Sequence, residues 1–169
     1  MESKRLNLGL VMGLHAESFG EPGQRTFRLL VETRAGRVSL WLEKQQIVAL
    51  LAAADELLDR ITEGDERGAT SASADSLAGD LEVRVGSLSV GFDRSNDAFL
   101  LEAGDFETAF DLTHIAMLVN RGQLEAMRDE LRDIVSHSRP RCPLCGTPLT
   151  GEPHFCPQSN GHADLSIED

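Results

Sequence analysis

The chain has no apolar stretch of the length that crosses a membrane. A transmembrane helix needs roughly 20 consecutive apolar residues, and the 41% of the chain that is hydrophobic is dispersed in shorter groups. The apolar segment from Leu6 to Leu14 is interrupted by Asn7, Gly9 and Gly13, and no small-x-small cleavage site follows it, as a signal peptide would require. We therefore expect a strand here, and a cytoplasmic protein without a membrane partner.

Positive charge is also scarce. The chain has 16 Lys and Arg against 28 Asp and Glu, which gives a formal net charge of -12. Such a chain repels phosphate backbones, so binding to nucleic acid requires a local basic patch. The basic cluster that stands out is Arg139 and Arg141, beside the cysteines. Nucleic-acid binding through this segment is therefore kept only as an alternative function.

Cysteine is absent from the first 141 residues, and all three cysteines lie between positions 142 and 156. An odd, clustered set is a poor disulfide framework and a good metal site. In Cys142-Pro-Leu-Cys145, two thiolates two residues apart can chelate one ion, and Gly146 permits the positive φ that such a turn needs. Cys156-Pro157 begins a second copy in which Ser159 replaces the expected fourth cysteine.

A histidine must complete a tetrahedral site, because serine is a poor zinc ligand. His154 lies two residues before Cys156, and on an extended strand both side chains face the same way. His162 lies six residues after Cys156, where a turn could return it. The spacing does not choose between these two histidines.

Small Pro- and Gly-rich modules with little core of their own usually need a metal to fold. We therefore predict one structural zinc ion at this cluster. A redox pair formed by the CxxC motif is an alternative. A catalytic zinc would need an open position and a nearby carboxylate base, for which Glu152 is the available candidate.

Two segments have the apolar spacing of amphipathic helices. The first runs from about Glu43 to Ile61, and the second from about Arg121 to His137, with Asn120 as its N-cap. The first apolar stripe consists of Ile47, Leu50, Leu51, Ala54, Leu57, Leu58 and Ile61. The second consists of Leu124, Met127, Leu131, Ile134 and Val135.

An internal repeat relates these helices. An offset of 77 residues, as from Ile47 to Leu124, superposes the apolar stripes and also places Gln46 on Gln123. The preceding strands agree, since the same offset takes Val38, Leu40 and Leu42 to Ile115, Met117 and Val119. Leu51 falls on Arg128 and breaks the pattern. Because a polar position and the strands match as well as the helical period, we interpret this pattern as a duplication.

The remaining apolar segments read as strands separated by turns. We predict strands at Leu6–Phe19, Gln24–Thr33 and Gly36–Leu42 in the first half, and at Leu81–Asp93, Asn96–Glu102 and Phe106–Val119 in the second. The predicted turns are Gly20-Glu-Pro-Gly23, Ala35-Gly36, Arg94-Ser-Asn96 and Ala103-Gly104. The fold class is therefore α+β, with two strand-strand-strand-helix halves and an antiparallel sheet.

The predicted domain organisation follows from these elements. Residues 1–138 form the duplicated body, with halves at 1–62 and 81–138 joined by a mobile linker at 63–80 that has no periodicity. Residues 139–162 form the zinc-binding module, and 163–169 form a disordered acidic tail. A homo-oligomer is possible, because the two halves can pack within one chain or exchange between chains.

A candidate ligand site lies outside the cysteine cluster. Arg25 in the turn after Gly20, together with Glu43, Lys44 and Gln46 at the start of the first helix, offers the charges and amides that hold an anionic ligand at a helix N-terminus. The competing interpretation is that Glu43 stabilises the helix dipole and that Gln46, like Gln123, caps its helix or bridges the two halves.

The sequence resembles an uncharacterised bacterial family of YIGN-type repeat proteins, a domain of unknown function. The resemblance rests on Gly20-Glu-Pro-Gly-Gln-Arg25-Thr-Phe27, Leu42-Glu-Lys-Gln-Gln46, Cys142-Pro-Leu-Cys-Gly146, His154-Phe-Cys156-Pro157 and Asn160-Gly161. It covers nearly the whole chain and implies a cytoplasmic protein with a zinc-ribbon-like C-terminal module. A Gly-His-x-Cys-Pro run is usual in that family, which favours His154 as the ligand, although Pro153 replaces the glycine here. The resemblance implies no reaction.

No Gly-rich phosphate loop, dinucleotide fingerprint or paired catalytic carboxylate motif occurs in the sequence. We therefore expect a non-enzymatic interaction or adaptor protein whose partner is another protein. The alternative is an enzyme or binder of a small anionic ligand that uses Arg25, Glu43 and Lys44.

Overall fold

The computed structural model describes residues 5–21, 23–62, 73–105, 114–137, 142–147, 149 and 153–159. Within these ranges the body contains seven strands and two helices, which confirms the α+β class. The strands are β1 (Arg5–Leu10), β2 (Gly13–Phe19), β3 (Thr26–Glu32), β4 (Arg37–Leu42), β5 (Leu81–Asp93), β6 (Ala98–Asp105) and β7 (His114–Val119). The helices are α1 (Lys44–Arg60) and α2 (Arg121–Ser136).

Both helices form where the apolar spacing predicts them. The buried positions of α1 are Ile47, Leu50, Ala54 and Leu58. In α2 they are Leu124, Met127 and Leu131, which correspond to Ile47, Leu50 and Ala54 at the offset of 77 residues. Asn120 is the N-cap of α2, as predicted, and its side chain accepts a hydrogen bond from the Gln123 N–H.

Two strand predictions need correction. The segment predicted as one strand from Leu6 to Phe19 is divided at Val11 and Met12 into β1 and β2. The predicted turn at Ala103-Gly104 is wrong, because both residues lie inside β6 and Ala103 is fully buried between Leu88 and Ile115. The first part of the predicted strand Phe106–Val119 lies outside the described residues.

The sheet is mixed, which corrects the antiparallel prediction. Its strand order is β1-β7-β6-β5-β4-β3-β2. Each half contributes antiparallel pairs, but β4 pairs with β5 in parallel and β1 pairs with β7 in parallel. These two parallel pairings join the strands of both halves into one sheet.

The chain itself connects the two ends of the sheet at the break between β1 and β2. The Val11 N–H donates to Leu118 O of β7 at 3.0 Å, whereas the next residue, Met12, donates to Glu32 O of β3 at 2.8 Å. Two successive residues therefore hydrogen-bond to β7 and β3, the strands next to the two ends of the order, and the edge strands β1 and β2 follow each other directly along the chain.

The core lies between the curved sheet and the paired helices. Alternate residues of β3 and β4, including Leu29, Val31, Val38 and Leu40, are completely buried against the apolar faces of both helices. The described members of this cluster end at Val135, so none of the described residues of the cysteine segment belongs to it.

The structure supports the repeat in part. The helices, their buried positions and the strands β4 and β7 correspond at the offset of 77 residues. The first strands correspond less well, because β5 is continuous where β1 and β2 are separated.

Most of the predicted linker, 63–72, lies outside the described residues. In its described end, the Asp75 N–H donates to Asn7 O and the Asp75 carboxylate accepts from the Asn7 N–H, each at 2.7 Å. The mobility of 63–80 and the disorder of 163–169 stay predictions. Among the described helices, neither has the length and apolarity to span a bilayer.

Candidate metal centre

The first two cysteines lie on a tight turn that is built by backbone hydrogen bonds. The Gly146 N–H donates to Cys142 O at 2.9 Å, and the Cys142 N–H donates to Thr147 O at 2.9 Å. Gly146 has a φ of 73°, in the left-handed region that glycine adopts without strain. The turn therefore places Cys142 and Cys145 on one side of the loop, as the CxxC spacing predicts.

Cys156 and His154 face these two cysteines. The ligand atoms of Cys142, Cys145, His154 and Cys156 all lie within 4.8 Å of one another. Cys142 Sγ is 3.7 Å from Cys156 Sγ, and Cys145 Sγ is 3.2 Å from His154 Nε2. These four residues could therefore hold a metal ion.

Two distances between ligand atoms are close to those of a tetrahedral site. With a metal–sulfur bond of about 2.3 Å, two thiolates on a tetrahedron are about 3.8 Å apart, and a thiolate and an imidazole nitrogen about 3.5 Å apart. The Cys142–Cys156 separation matches the first value, and the Cys145–His154 separation is slightly shorter than the second. Three thiols and one imidazole are the donor set of structural zinc sites.

Of the two candidate histidines, the structure brings His154 to the cysteines. His162 lies outside the described residues, as do Glu152, Arg139 and Arg141. His154 and Cys156 are two residues apart in a segment without helix or strand, and their ligand atoms lie in the same group of four.

The three thiols have different environments. Hydrogen bonds from the Thr147 hydroxyl and backbone lower the pKa of Cys145 to about 6. Removal from water raises the pKa of Cys156. Cys142 is the most buried of the three, and the structure forms no disulfide between them. The deprotonated form of a thiol is the form that binds a metal. Because the pKa of Cys145 lies below 7, its thiol is mostly deprotonated at neutral pH.

Two large apolar side chains stand outward from the same loops. Leu144, between the first two cysteines, is 63% exposed, and Phe155, between His154 and Cys156, is 66% exposed. They are among the most exposed large hydrophobic residues in the part of the chain that the structure describes.

The candidate ligand residues at the start of α1 have separate roles. Gln46 is occupied structurally, because its Oε1 accepts from the Glu43 N–H at 2.8 Å and its Nε2 donates to Val85 O at 2.9 Å. The Glu43 carboxylate lies 3.6 Å from the Arg84 guanidinium. Lys44 and Arg25 form no ion pair within the described residues, and their predicted role in ligand binding stays a prediction.

Beside this helix start lies a groove of about 350 Å³ that sequence reasoning missed. Thr26, Trp41, Leu42, Glu43, Arg84 and Val85 line it. Arg84 and Trp41 are 43 positions apart in the chain and are brought together by the parallel pairing of β4 with β5. Arg84 lies between two valines of a strand, a pattern that indicates only that its side chain faces outward. The sequence alone therefore did not predict this groove.

The fold and the cluster define an α+β protein with a mixed seven-stranded sheet and a C-terminal Cys₃His group that could hold a metal. The chain belongs to the family described as "Protein of unknown function (DUF3090)", whose model matches residues 8–156. Neither a curated protein nor a solved structure matches the chain significantly. The family is thus one of unknown function, as the resemblance implied, but its YIGN-type name and a zinc-ribbon module are not confirmed.

Proposed function

We propose that Cys142, Cys145, His154 and Cys156 hold one structural zinc ion, and that the protein is a non-enzymatic adaptor whose partner is another protein. The observation that carries the zinc assignment is the convergence of three thiols and one imidazole nitrogen within 4.8 Å. Four protein ligands fill a tetrahedral zinc site and leave no open position for a substrate, which favours a structural role over a catalytic one.

The module's composition supports the same assignment. None of its described residues belongs to the hydrophobic core of the body. A segment without a core of its own gains its folding free energy from the metal. Zinc would therefore fix the positions of the loops that bear Leu144 and Phe155.

The adaptor role is supported by those two side chains. A metal-fixed loop presents Leu144 and Phe155 to solvent with little conformational freedom, and preorganised apolar side chains are effective anchors for a protein partner. The net charge of -12 gives such an adaptor little affinity for nucleic acid.

Elemental analysis of protein purified without added metal tests the zinc assignment. We expect one zinc ion per chain. His154→Asn should lose it, whereas the matched variant His162→Asn should retain it. Metal-free protein with three freely titratable thiols would overturn the assignment and make Cys142 and Cys145 the candidate redox pair.

Comparative affinity purification tests the adaptor role. We expect a partner protein to be retained by the wild-type chain and lost from Leu144→Ser/Phe155→Ser. The matched control is Val48→Ser, which changes another exposed apolar residue, on α1. Substrate turnover that depends on Arg25 or Glu43 would contradict an adaptor role.

A further inference from the structure

The three thiols of the metal centre have different neighbours. Cys142 Sγ lies 3.7 Å from Cys156 Sγ, and no disulfide joins them. Cys145 Sγ instead donates to the Thr147 hydroxyl and lies beside His154 Nε2, each at 3.2 Å. Cys142 and Cys156 are therefore placed to react with each other, while Cys145 is held by two other groups.

A disulfide between Cys142 and Cys156 fits the two loops that carry them. The sulfur atoms of a disulfide are about 2 Å apart, so the two thiols have to approach each other by less than about 2 Å. The backbone of Cys142 is hydrogen-bonded to Gly146 and Thr147 within its own turn, and a side-chain link to the second loop leaves those bonds in place. A disulfide between Cys142 and Cys145 would instead have to form inside this tight turn.

Such a disulfide removes two of the four ligands of the metal centre. Cys145 and His154 would remain, and two ligands do not fill the tetrahedral site of a structural zinc ion. None of the described residues of the module belongs to the hydrophobic core, so the positions of its loops depend on the metal. Oxidation would therefore also release the loops that present Leu144 and Phe155.

We propose that a peroxide converts Cys142 and Cys156 into a disulfide and releases the zinc ion, so that the metal centre is also a redox switch. This inference rests on the zinc assignment made above. One thiolate attacks a peroxide oxygen, the O–O bond breaks, hydroxide leaves and a sulfenic acid forms. The other thiolate then displaces hydroxide from that sulfur as the S–S bond forms. Two electrons pass from sulfur to the peroxide, and zinc remains divalent.

The zinc-loaded full chain tests the switch. Its zinc content is measured first, and hydrogen peroxide is then added in the presence of a chromogenic chelator. We expect one zinc ion to be released for each disulfide formed, and dithiothreitol followed by added zinc to restore the site. Far-UV circular dichroism should hardly change, because the first 141 residues contain no cysteine.

The outcomes separate this proposal from the zinc assignment. A sample with chelator but without peroxide is the control and should keep its zinc. Zinc that stays bound after the thiols are oxidised, or zinc release without a disulfide, would overturn the switch and leave the zinc assignment standing. A chain purified without zinc would refute the assignment and the switch together.

Differential labelling identifies the oxidised pair. Free thiols are alkylated with iodoacetamide, and the disulfide is then reduced and alkylated with N-ethylmaleimide. Trypsin cleaves after Arg141, and no lysine or arginine follows, so all three cysteines lie on one peptide that fragmentation in a mass spectrometer can sequence. We expect the first label on Cys145 and the second on Cys142 and Cys156. A disulfide that includes Cys145 would contradict the proposed pairing.

Two cysteine variants, compared without metal, check the pairing independently. Cys145→Ser should still form the disulfide with peroxide, because both paired thiols remain. Cys156→Ser should lose it, although it retains the CxxC motif. Loss of the disulfide in Cys145→Ser, or an equal yield of disulfide in the two variants, would show that the geometry does not select Cys142 and Cys156.

Discussion

Gln46 and Gln123 show how one residue type joins the two halves of the molecule. Each accepts a hydrogen bond from the backbone N–H of its helix N-cap, through Oε1. Each also donates through Nε2 to a backbone carbonyl of the opposite half, Gln46 to Val85 O in β5 and Gln123 to Val11 O between β1 and β2. The sequence-based interpretation that these glutamines cap or bridge is confirmed, since they do both.

Removing Gln123 should destabilise the body by about 1–3 kcal/mol, because Gln123→Ala leaves a partly buried carbonyl, Val11 O, without its donor. Urea unfolding followed by circular dichroism measures this change. Gln45→Ala is the matched control, because Gln45 is an exposed glutamine beside Gln46, the residue that corresponds to Gln123 in the repeat. This variant should change the free energy of unfolding by less than about 0.5 kcal/mol. Equal stability of the two variants would refute the bridging role.

At the scale of the elements, α1 and α2 meet through residues that correspond in the repeat. Asp55 and Arg132 differ by the same 77 positions that relate Ile47 to Leu124, and they form a hydrogen-bonded ion pair of 2.8 Å. Arg128, which replaces the expected apolar partner of Leu51, lies 3.8 Å from the same Asp55. Corresponding residues that contact each other lie near a pseudo-two-fold axis, where identical charges would repel. At this contact the two corresponding positions carry opposite charges, which attract each other.

Reversing one charge should destabilise this contact, and reversing both should restore it. We expect Asp55→Arg to lower the free energy of unfolding by about 0.5–1 kcal/mol, because the pair is partly exposed. The double variant Asp55→Arg/Arg132→Asp should recover part of the loss, because Arg128 would still lie beside an arginine at position 55. Urea midpoints at low salt and at about 1 M NaCl measure both effects, and the differences should shrink at high salt. A double variant no more stable than the single one would show that the charges do not interact.

At the scale of the whole molecule, the two halves share one sheet and do not form two separate units that pack together. The parallel pairings of β4 with β5 and of β1 with β7 each join one half to the other. Val11 and Met12 link the halves further, because Val11 donates to Leu118 O of β7 in the second half and Met12 donates to Glu32 O of β3 in the first. Each half therefore leaves strand edges and an apolar helix face uncovered when it is separated from the other.

We expect the fragments 1–62 and 73–169 to be largely unfolded when each is alone, and to regain the helical circular dichroism of the intact chain when mixed in equal amounts. Within the described residues, fragment 1–62 contains four strands and one helix and fragment 73–169 contains three strands and one helix, and each alone would expose the strand edges that pair with the other half. The intact chain, cut by a protease at a site introduced within 63–72, is the control and should remain associated in gel filtration. A cooperative unfolding transition in isolated 1–62 would contradict this prediction.

The sequence by itself determined the features that depend on local pattern. Helical periodicity located α1 and α2 to within a residue, Asn120 marked a helix start, and the cysteine spacing selected the three cysteines of the candidate metal centre but left open which histidine joins them. These features were accessible because apolar period, capping and chelate spacing act between residues a few positions apart.

Only the tertiary structure decided the strand order, the two parallel pairings and the separate hydrogen bonds of Val11 and Met12 to β7 and β3. It also decided that Trp41 faces Arg84 and that Asp55 faces Arg132. Strand pairing is set by packing and hydrogen bonding between segments that are distant in the chain, and an alternating apolar pattern is compatible with either strand direction and several neighbours. The alternating pattern therefore predicts which face of a strand is buried. Which strand it pairs with depends on the packing of the assembled core.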